Sequence, residues 1–258
     1  MSKSIDSAEE NEDNRGNFFS SESQHENSEQ AGVELQEHPY QYLKPEIVIE
    51  AVESTGRLSD VRILPLNSYE NRVYQVGIEE GDPVIAKFYR PDRWSLQQID
   101  EEHRFTQCLF DLEIPVVPPL LINADSQFPT ISEFGGFVFA LYPRQGGRAP
   151  QLDNLEHLYQ LGRFIGRIHA AGRSFPLQYR RKLNTADFAS NCVEYLLSND
   201  FIPHDIQLAY QSVSGELLAE IEACSPEASD YQQITLHGDC HAGNVLWRDE
   251  RPHFVDFD

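Results

Sequence analysis

Apolar and polar residues alternate along part of this chain and recur at helical spacing along the rest, with the change near its middle. Pro45 to Glu53 groups Ile47, Val48, Ala51 and Val52 as a short helix would. Three strands are expected next: Arg62 to Leu66, Arg72 to Ile78 with Tyr74, Val76 and Ile78 on one side, and Pro83 to Tyr89. Glu79-Glu80-Gly81-Asp82 has turn composition, so the strands follow one another antiparallel. A helix from about Ser95, its N-cap, to Phe110 ends before Ile114-Pro115-Val116-Val117-Pro118-Pro119. A Gly135-Gly136 turn then leads into the apolar strand Phe137 to Tyr142, which Pro143 and Gly146-Gly147 close at a lobe boundary.

Beyond that boundary Leu155, Leu158, Leu161, Phe164, Ile165 and Ile168 recur at three- and four-residue spacing. Gly162 and Gly166, four apart, lower helix propensity and so predict close packing against another element. Further helices are expected over Asp187 to Leu197 and Asp205 to Cys224, and two short strands near the end. The pattern divides the chain into an extension over residues 1–40, a small lobe over 41–143 and a large lobe over 144–258. The fold class is α+β: a small antiparallel β lobe with one key helix, joined to a mainly helical lobe.

Composition narrows the partners. The chain has 20 Lys and Arg against 42 Asp and Glu, a net charge of -22, which repels nucleic acid and anionic lipid. Residues 1–40 alone hold ten acidic and two basic side chains with few aliphatics, a composition that does not offset its own ordering entropy. No stretch approaches the roughly 20 apolar residues of a membrane span, and the polar start lacks a secretory signal, so a cytoplasmic monomer is expected. Cys108, Cys192, Cys224 and Cys240 have no paired spacing, which argues against zinc and disulfides.

The densest chemistry lies in Leu236-His237-Gly238-Asp239-Cys240-His241-Ala242-Gly243-Asn244-Val245-Leu246-Trp247, followed by Pro252-His253-Phe254-Val255-Asp256. Asp239 and Asn244 stand five apart, the spacing of a protein-kinase catalytic loop, in which the Asp takes the acceptor's proton and the Asn holds magnesium. A strand over His253 to Val255 would deliver Asp256 to the same place as a second magnesium ligand. His237 and His241 read as residues that fix the loop, because Asp239 already fills the role of base.

ATP phosphates also need a cation. Lys87 lies in the apolar run Val84-Ile85-Ala86-Lys87-Phe88, where an uncompensated ammonium is costly. Ile99, Glu102, Phe105 and Leu109 share a helix face, which makes Glu102 its expected partner, with Glu101 the alternative one position away. Between the first two strands, Ser68 in Leu66-Asn67-Ser68-Tyr69-Glu70-Asn71 stands where a phosphate-covering loop would lie, although a plain turn explains it equally well.

With these residues in view, the chain from about Leu64 to Asp258 resembles the aminoglycoside phosphotransferase and choline kinase superfamily. Within it the resemblance is to the stress response kinase A family, carried by Pro65 to Gln75, Lys87 to Trp94, Glu101-Glu102-His103 and Leu236 to Trp247. The resemblance implies a protein-kinase-like fold and a cytoplasmic Ser/Thr protein kinase of stress survival, using ATP and magnesium. Asp239 would be the proton acceptor, Asn244 and Asp256 the magnesium ligands, Asp256 counting also as catalytic, and Ser68, Lys87 and Glu102 nucleotide-site residues. Related enzymes continue through further helices, so an incomplete large lobe is expected. A small hydroxyl acceptor, such as an amino alcohol or antibiotic, and a non-catalytic nucleotide-binding module are the alternatives.

Overall fold

The computed structural model describes residues 38–224 and 231–257. Most of the acidic extension therefore lies outside the described residues. Its expected end at residue 40 falls too late, because Tyr40 is already core: its ring stacks on Phe137, and its hydroxyl donates to the carbonyls of Phe88 at 3.1 Å and Glu70 at 3.2 Å. Tyr40 and Leu43, buried in the same core, form too short a stretch to show a period.

The first layer is a five-stranded antiparallel sheet in the order β1-β2-β3-β5-β4. Its strands are β1 Ser59–Leu66, β2 Arg72–Ile78, β3 Val84–Phe88, β4 Ser132–Phe134 and β5 Phe137–Pro143. The consecutive β1–β2–β3 pairing follows the expected alternation. β1 begins three residues before the expected start, since its register with β2 shifts between Ser59 and Ile63 and Val61 has a positive φ of 60°, a bulge that hides the alternation. β4 is too short to read from sequence; its pairing with β5 follows from Gly135 and Gly136, both at positive φ.

Helix α1, Pro45–Glu53, covers the sheet, with Val48, Ala51 and Val52 buried among Val76, Phe88, Phe137 and Phe139. Helix α2, Leu96–Asp111, starts at a reciprocal capping box in which Ser95 and Gln98 each accept the other's backbone N–H. Its stripe Ile99, Glu102, Phe105 and Leu109 is buried, as the spacing predicts. The stripe enters two cores. Ile99 packs with Tyr89, Ile131 and Ala140 on the sheet, whereas Phe105 and Leu109 pack with Ile168, Val245, Phe254 and Phe257.

Helix α3, Leu155–Gly172, turns Leu161, Phe164, Ile165 and Ile168 toward that second core. The expected helix over Asp187 to Leu197 is a π-helical turn, Ala186–Ser190, running into α4, Asn191–Ser198. Helix α5, His204–Cys224, buries none of its residues and leaves Leu208, Val213 and Leu217 exposed. The chain then forms a 3-10 turn, Ala242–Asn244, and an antiparallel hairpin of β6 Val245–Arg248 and β7 Arg251–Phe254. β7 starts and stops before the expected His253 to Val255. Its register is set by a two-residue turn in which Asp249 and Glu250 both take positive φ, the hairpin geometry that matches strand twist.

The glycine expectation needs correction. A Cβ at Gly162 or Gly166 would meet nothing within 4 Å, so neither marks a close approach. The crowded glycine of α3 is Gly172, where a Cβ would fall on the carbonyl oxygen of Thr235, whose N–H donates to the Gly172 carbonyl at 3.1 Å. Gly162→Ala and Gly166→Ala should each stabilise the protein by about 0.5–1 kcal/mol, the helix-interior penalty of glycine. Gly172→Ala should destabilise it by roughly 1–3 kcal/mol, the range for forced overpacking. Urea melts of the three variants check this, and a stabilised Gly172→Ala would refute the close approach.

Candidate active site

The segment before β6 is held at its base and open at its tip. Thr235 donates its hydroxyl to the Phe175 carbonyl and its N–H to that of Gly172, which ties it to the end of α3. Leu236 crosses the surface, and His237 turns inward and stacks on Phe257 with ring centroids 4.1 Å apart. Gly238 then takes a φ of 92°, a conformation open to glycine, and the chain reverses so that the Asp239 side chain is 65% exposed.

The loop is closed from its other side. His241 accepts the Gly243 N–H through Nδ1 at 2.9 Å, and its Nε2 lies 3.5 Å from the Asp239 carboxylate. A Cβ on Gly243 would strike the His241 ring, so this compact turn needs glycine there. Asn244 donates its side-chain amide to the Asp239 carbonyl at 3.0 Å, which turns its Oδ1 away from that carbonyl. The backbone N–H of Val255 donates to the Asn244 carbonyl at 3.0 Å and draws the end of β7 against the same loop. One residue on, Asp256 adopts a φ of 64° and turns its carboxylate toward the sheet.

There Lys87 meets it. The ammonium of Lys87, its side chain only 6% exposed, lies 2.6 Å from Asp256 Oδ1 across 169 positions of sequence. Lys87 pairs with Val73 on β2 and Ala140 on β5, in the middle of the sheet. The adjacent pair Arg72 and Phe88 places the loop 67–71 above that end of β3. Ser68 donates its hydroxyl to the Asn71 carbonyl at 2.7 Å, and Asn71, buried, accepts the Arg90 N–H at 3.2 Å. Ser68 therefore shapes this loop from within.

Both glutamates of α2 are buried, and they do different work. Glu101 accepts the backbone N–H groups of Gln178, Tyr179 at 2.8 Å and Arg180 at 2.9 Å, so it is a clamp on that segment and not a partner for Lys87. Glu102, on the inner stripe, accepts from Arg180 Nη2 at 3.0 Å. Sequence reasoning weighed the two glutamates as alternatives and missed Arg180. The signal was available: two adjacent carboxylates on a helix that buries one face call for cations or N–H donors, and Arg180-Arg181-Lys182 is a basic run in an acidic chain. Also missed was His157, whose ring stacks on Trp247 of β6 at 3.7 Å, beside the linker whose Arg148 exchanges backbone hydrogen bonds with Trp247.

Asp239, Asn244, Asp256 and Lys87 thus come together at one end of the sheet, an acid, an amide oxygen and an ion pair on loops held by backbone bonds. The model of the phosphotransferase enzyme family matches residues 62–258. The chain belongs to that family. It is 38% identical over 219 residues to serine/threonine protein kinase RdoA of Salmonella typhimurium strain LT2 and, to the same extent, to stress response kinase A of Escherichia coli strain K12. Each match covers 85% of this chain and 65% of the relative, so the chain spans 65% of the length of these curated relatives. An amicoumacin kinase, solved in complex with AMP-PNP, Ca2+ and Ami, superposes with a TM-score of 0.63 at 22% identity, over 81% of this chain and 63% of that one. The protein-kinase-like fold of the phosphotransferase family is therefore shared.

Electrostatics separates the residues of this loop. Burial raises the pKa of the Cys240 thiol, and the charge of Asp239 adds to the effect, so the thiol stays protonated beside that carboxylate. Burial pushes His237 down to about 4, against opposing pulls from the Val255 backbone and the Asp239 charge, and neither ring nitrogen has a hydrogen-bond partner of good geometry. An unfolded histidine titrates near about 6.5. Between these values the unfolded chain binds a proton that the folded chain refuses. Stability contributed by His237 is therefore complete above about 6.5 and is lost as pH falls toward 4, by up to roughly 3 kcal/mol. Melting temperatures across that window should fall less for His237→Phe than for the unaltered protein; parallel curves would refute the assignment.

Proposed function

We propose that this chain binds ATP with magnesium and passes the γ-phosphoryl group to a serine or threonine hydroxyl of a protein. The observation that carries the reading is the joining of Asp239, Asn244 and Asp256 through the Val255–Asn244 bond, with Lys87 on Asp256. A relative of 38% identity named as a serine/threonine protein kinase supports the acceptor class. The name of the Escherichia coli relative, stress response kinase A, also supports a role in stress response. Among the described residues no helix is long and apolar enough to cross a membrane.

In this reading the exposed Asp239 carboxylate accepts the proton of the acceptor hydroxyl as its oxygen bonds to the γ-phosphorus and the bridging bond to ADP breaks. The ring of His241, 3.5 Å away, orients that carboxylate. Asn244 Oδ1 and the Asp256 carboxylate are hard oxygen donors, and two such donors suit magnesium, which takes its other ligands from phosphate and water. When bound, the ion neutralises charge on the phosphates. Lys87 supplies a second positive charge, with Glu102 behind it on α2. The loop carrying Ser68 covers the same end of the sheet.

A small hydroxyl acceptor is the second reading, favoured by the fold shared with an amicoumacin kinase. Labelled ATP offered to the chain with a mixed protein substrate, and separately with amino alcohols, distinguishes them; label on protein Ser or Thr is expected. Asp239→Asn should reduce that transfer by about 100- to 10,000-fold, the contribution of a positioned base, while ATP affinity stays close to the original. Transfer at the original rate would remove Asp239 from its role.

A further inference from the structure

The loop between β1 and β2, residues 67–71, has no glycine to let it close over a ligand. Side chains and a neighbouring turn fix it instead. The Ser68 hydroxyl closes the loop onto the Asn71 carbonyl at 2.7 Å, and the Tyr40 hydroxyl donates to the Glu70 carbonyl at 3.2 Å. Two further ties come from the segment after β3. Arg90 donates its backbone N–H to Asn71 Oδ1 at 3.2 Å, and Arg93 donates through Nε to the Glu70 carboxylate.

One turn sets those two donors side by side. The N–H of Arg93 donates to the Arg90 carbonyl at 3.3 Å across Pro91 and Asp92, and Asp92 has a φ of 62°. Proline followed by a residue of positive φ is the type II arrangement. Beyond the turn, the Arg93 guanidinium lies over the Trp94 ring, 4.6 Å from its centroid, and the Arg180 guanidinium lies 4.2 Å from the same centroid. Trp94 packs against the cluster of Tyr89, Ile99, Ile131 and Ala140. Its indole N–H is buried without a hydrogen-bond partner, so packing and the two cations fix the ring. Ser95, the next residue, caps α2. The loop is therefore fastened to the start of α2 as well as to the strands it joins.

Stability alone does not account for this arrangement. Arg93 is 37% exposed and Glu70 30%, and an ion pair so open to water adds little to folding. Its effect is on position. Val73 pairs with Lys87 and Arg72 with Phe88, which places the loop one pair beyond Lys87. We propose that Arg93 is a positioning residue for the phosphates of ATP: joined to Glu70 and seated on Trp94, it holds residues 67–71 over the Lys87 end of the sheet before nucleotide arrives. This role rests on the phosphotransferase reading above. A loop already in place meets phosphate without the ordering cost of a free one. Adenosine has no phosphate for the loop to cover, so its binding does not depend on Arg93.

The test compares ATP with magnesium against adenosine, by calorimetry on the chain as it stands, and follows KM and kcat for transfer. Arg93→Met should weaken ATP binding about threefold to tenfold, the scale of ordering one or two side chains. KM should change more than kcat, and adenosine affinity should stay as it was. Arg93→Lys, which keeps the charge but not the flat stacking on Trp94, should recover part of the loss. Glu70→Ala should reproduce the loss, and the double variant should bind ATP no more weakly than either single one, because the two residues act as one unit. Equal losses for ATP and adenosine would make Arg93 structural only, and losses that multiply would show that it does not act through Glu70. Unchanged ATP affinity in Arg93→Met would also overturn the proposal. Each of these results leaves the phosphotransferase reading intact. An unaltered chain that binds no ATP would overturn that reading, and this role with it. Should Arg93→Met fail to fold, Arg93→Lys and Glu70→Ala carry the same comparison.

Discussion

The ammonium of Lys87 on the Asp256 carboxylate is the contact on which the arrangement turns. A charged side chain in the middle of an apolar strand must meet an anion, and the anion comes from 169 residues away. The end of β7 must therefore sit against the middle of the sheet. The Val255–Asn244 bond carries the loop of Asp239 with it. Asp256 remains 46% exposed, and an ion pair with one wet partner contributes little to net stability. Its importance is geometric: it sets where a cation and the loop carboxylates stand relative to one another.

Helix α2 makes that geometry rigid. Its first half packs on the sheet through Ile99, and its second half packs with α3 and the β6–β7 hairpin through Phe105 and Leu109. Outside these cores, Arg167 of α3 donates to the carbonyls of Leu112 and Glu113 beyond the end of α2, satisfying groups the helix leaves open. Near its start Gln98 and Glu101 grip residues 178–180. Movement of α2 would break contacts in two cores and at both ends. The helix that bears Glu102 is thus fastened to the β6–β7 hairpin as well as to its own sheet.

Much of this was legible in the residues. Strict alternation announced β2, and the spacing of Ile99, Glu102, Phe105 and Leu109 announced the buried face of α2, because both depend on local periods that burial imposes directly. That Asp239, Asn244 and Asp256 gather around one loop was legible because it depends on order and spacing along a short stretch. What escaped reading depends on partners distant in sequence. Gly172 is crowded by Thr235, not by its own helix, and no helical period distinguishes it from Gly162. Tyr40 enters the core through carbonyls of Phe88 and Glu70, and Glu101 is satisfied by backbone N–H groups, which every residue but proline carries.

The direct measurement is ATP binding as a function of magnesium concentration for the unaltered chain, Asp256→Asn and Lys87→Met. If the ion pair marks the phosphate and metal site, magnesium strengthens ATP binding in the unaltered chain. Asp256→Asn should lose most of that dependence, and Lys87→Met should keep it at a lower overall affinity. Equal magnesium dependence in the unaltered chain and Asp256→Asn would contradict the account, because Asp256 would then hold Lys87 and nothing else.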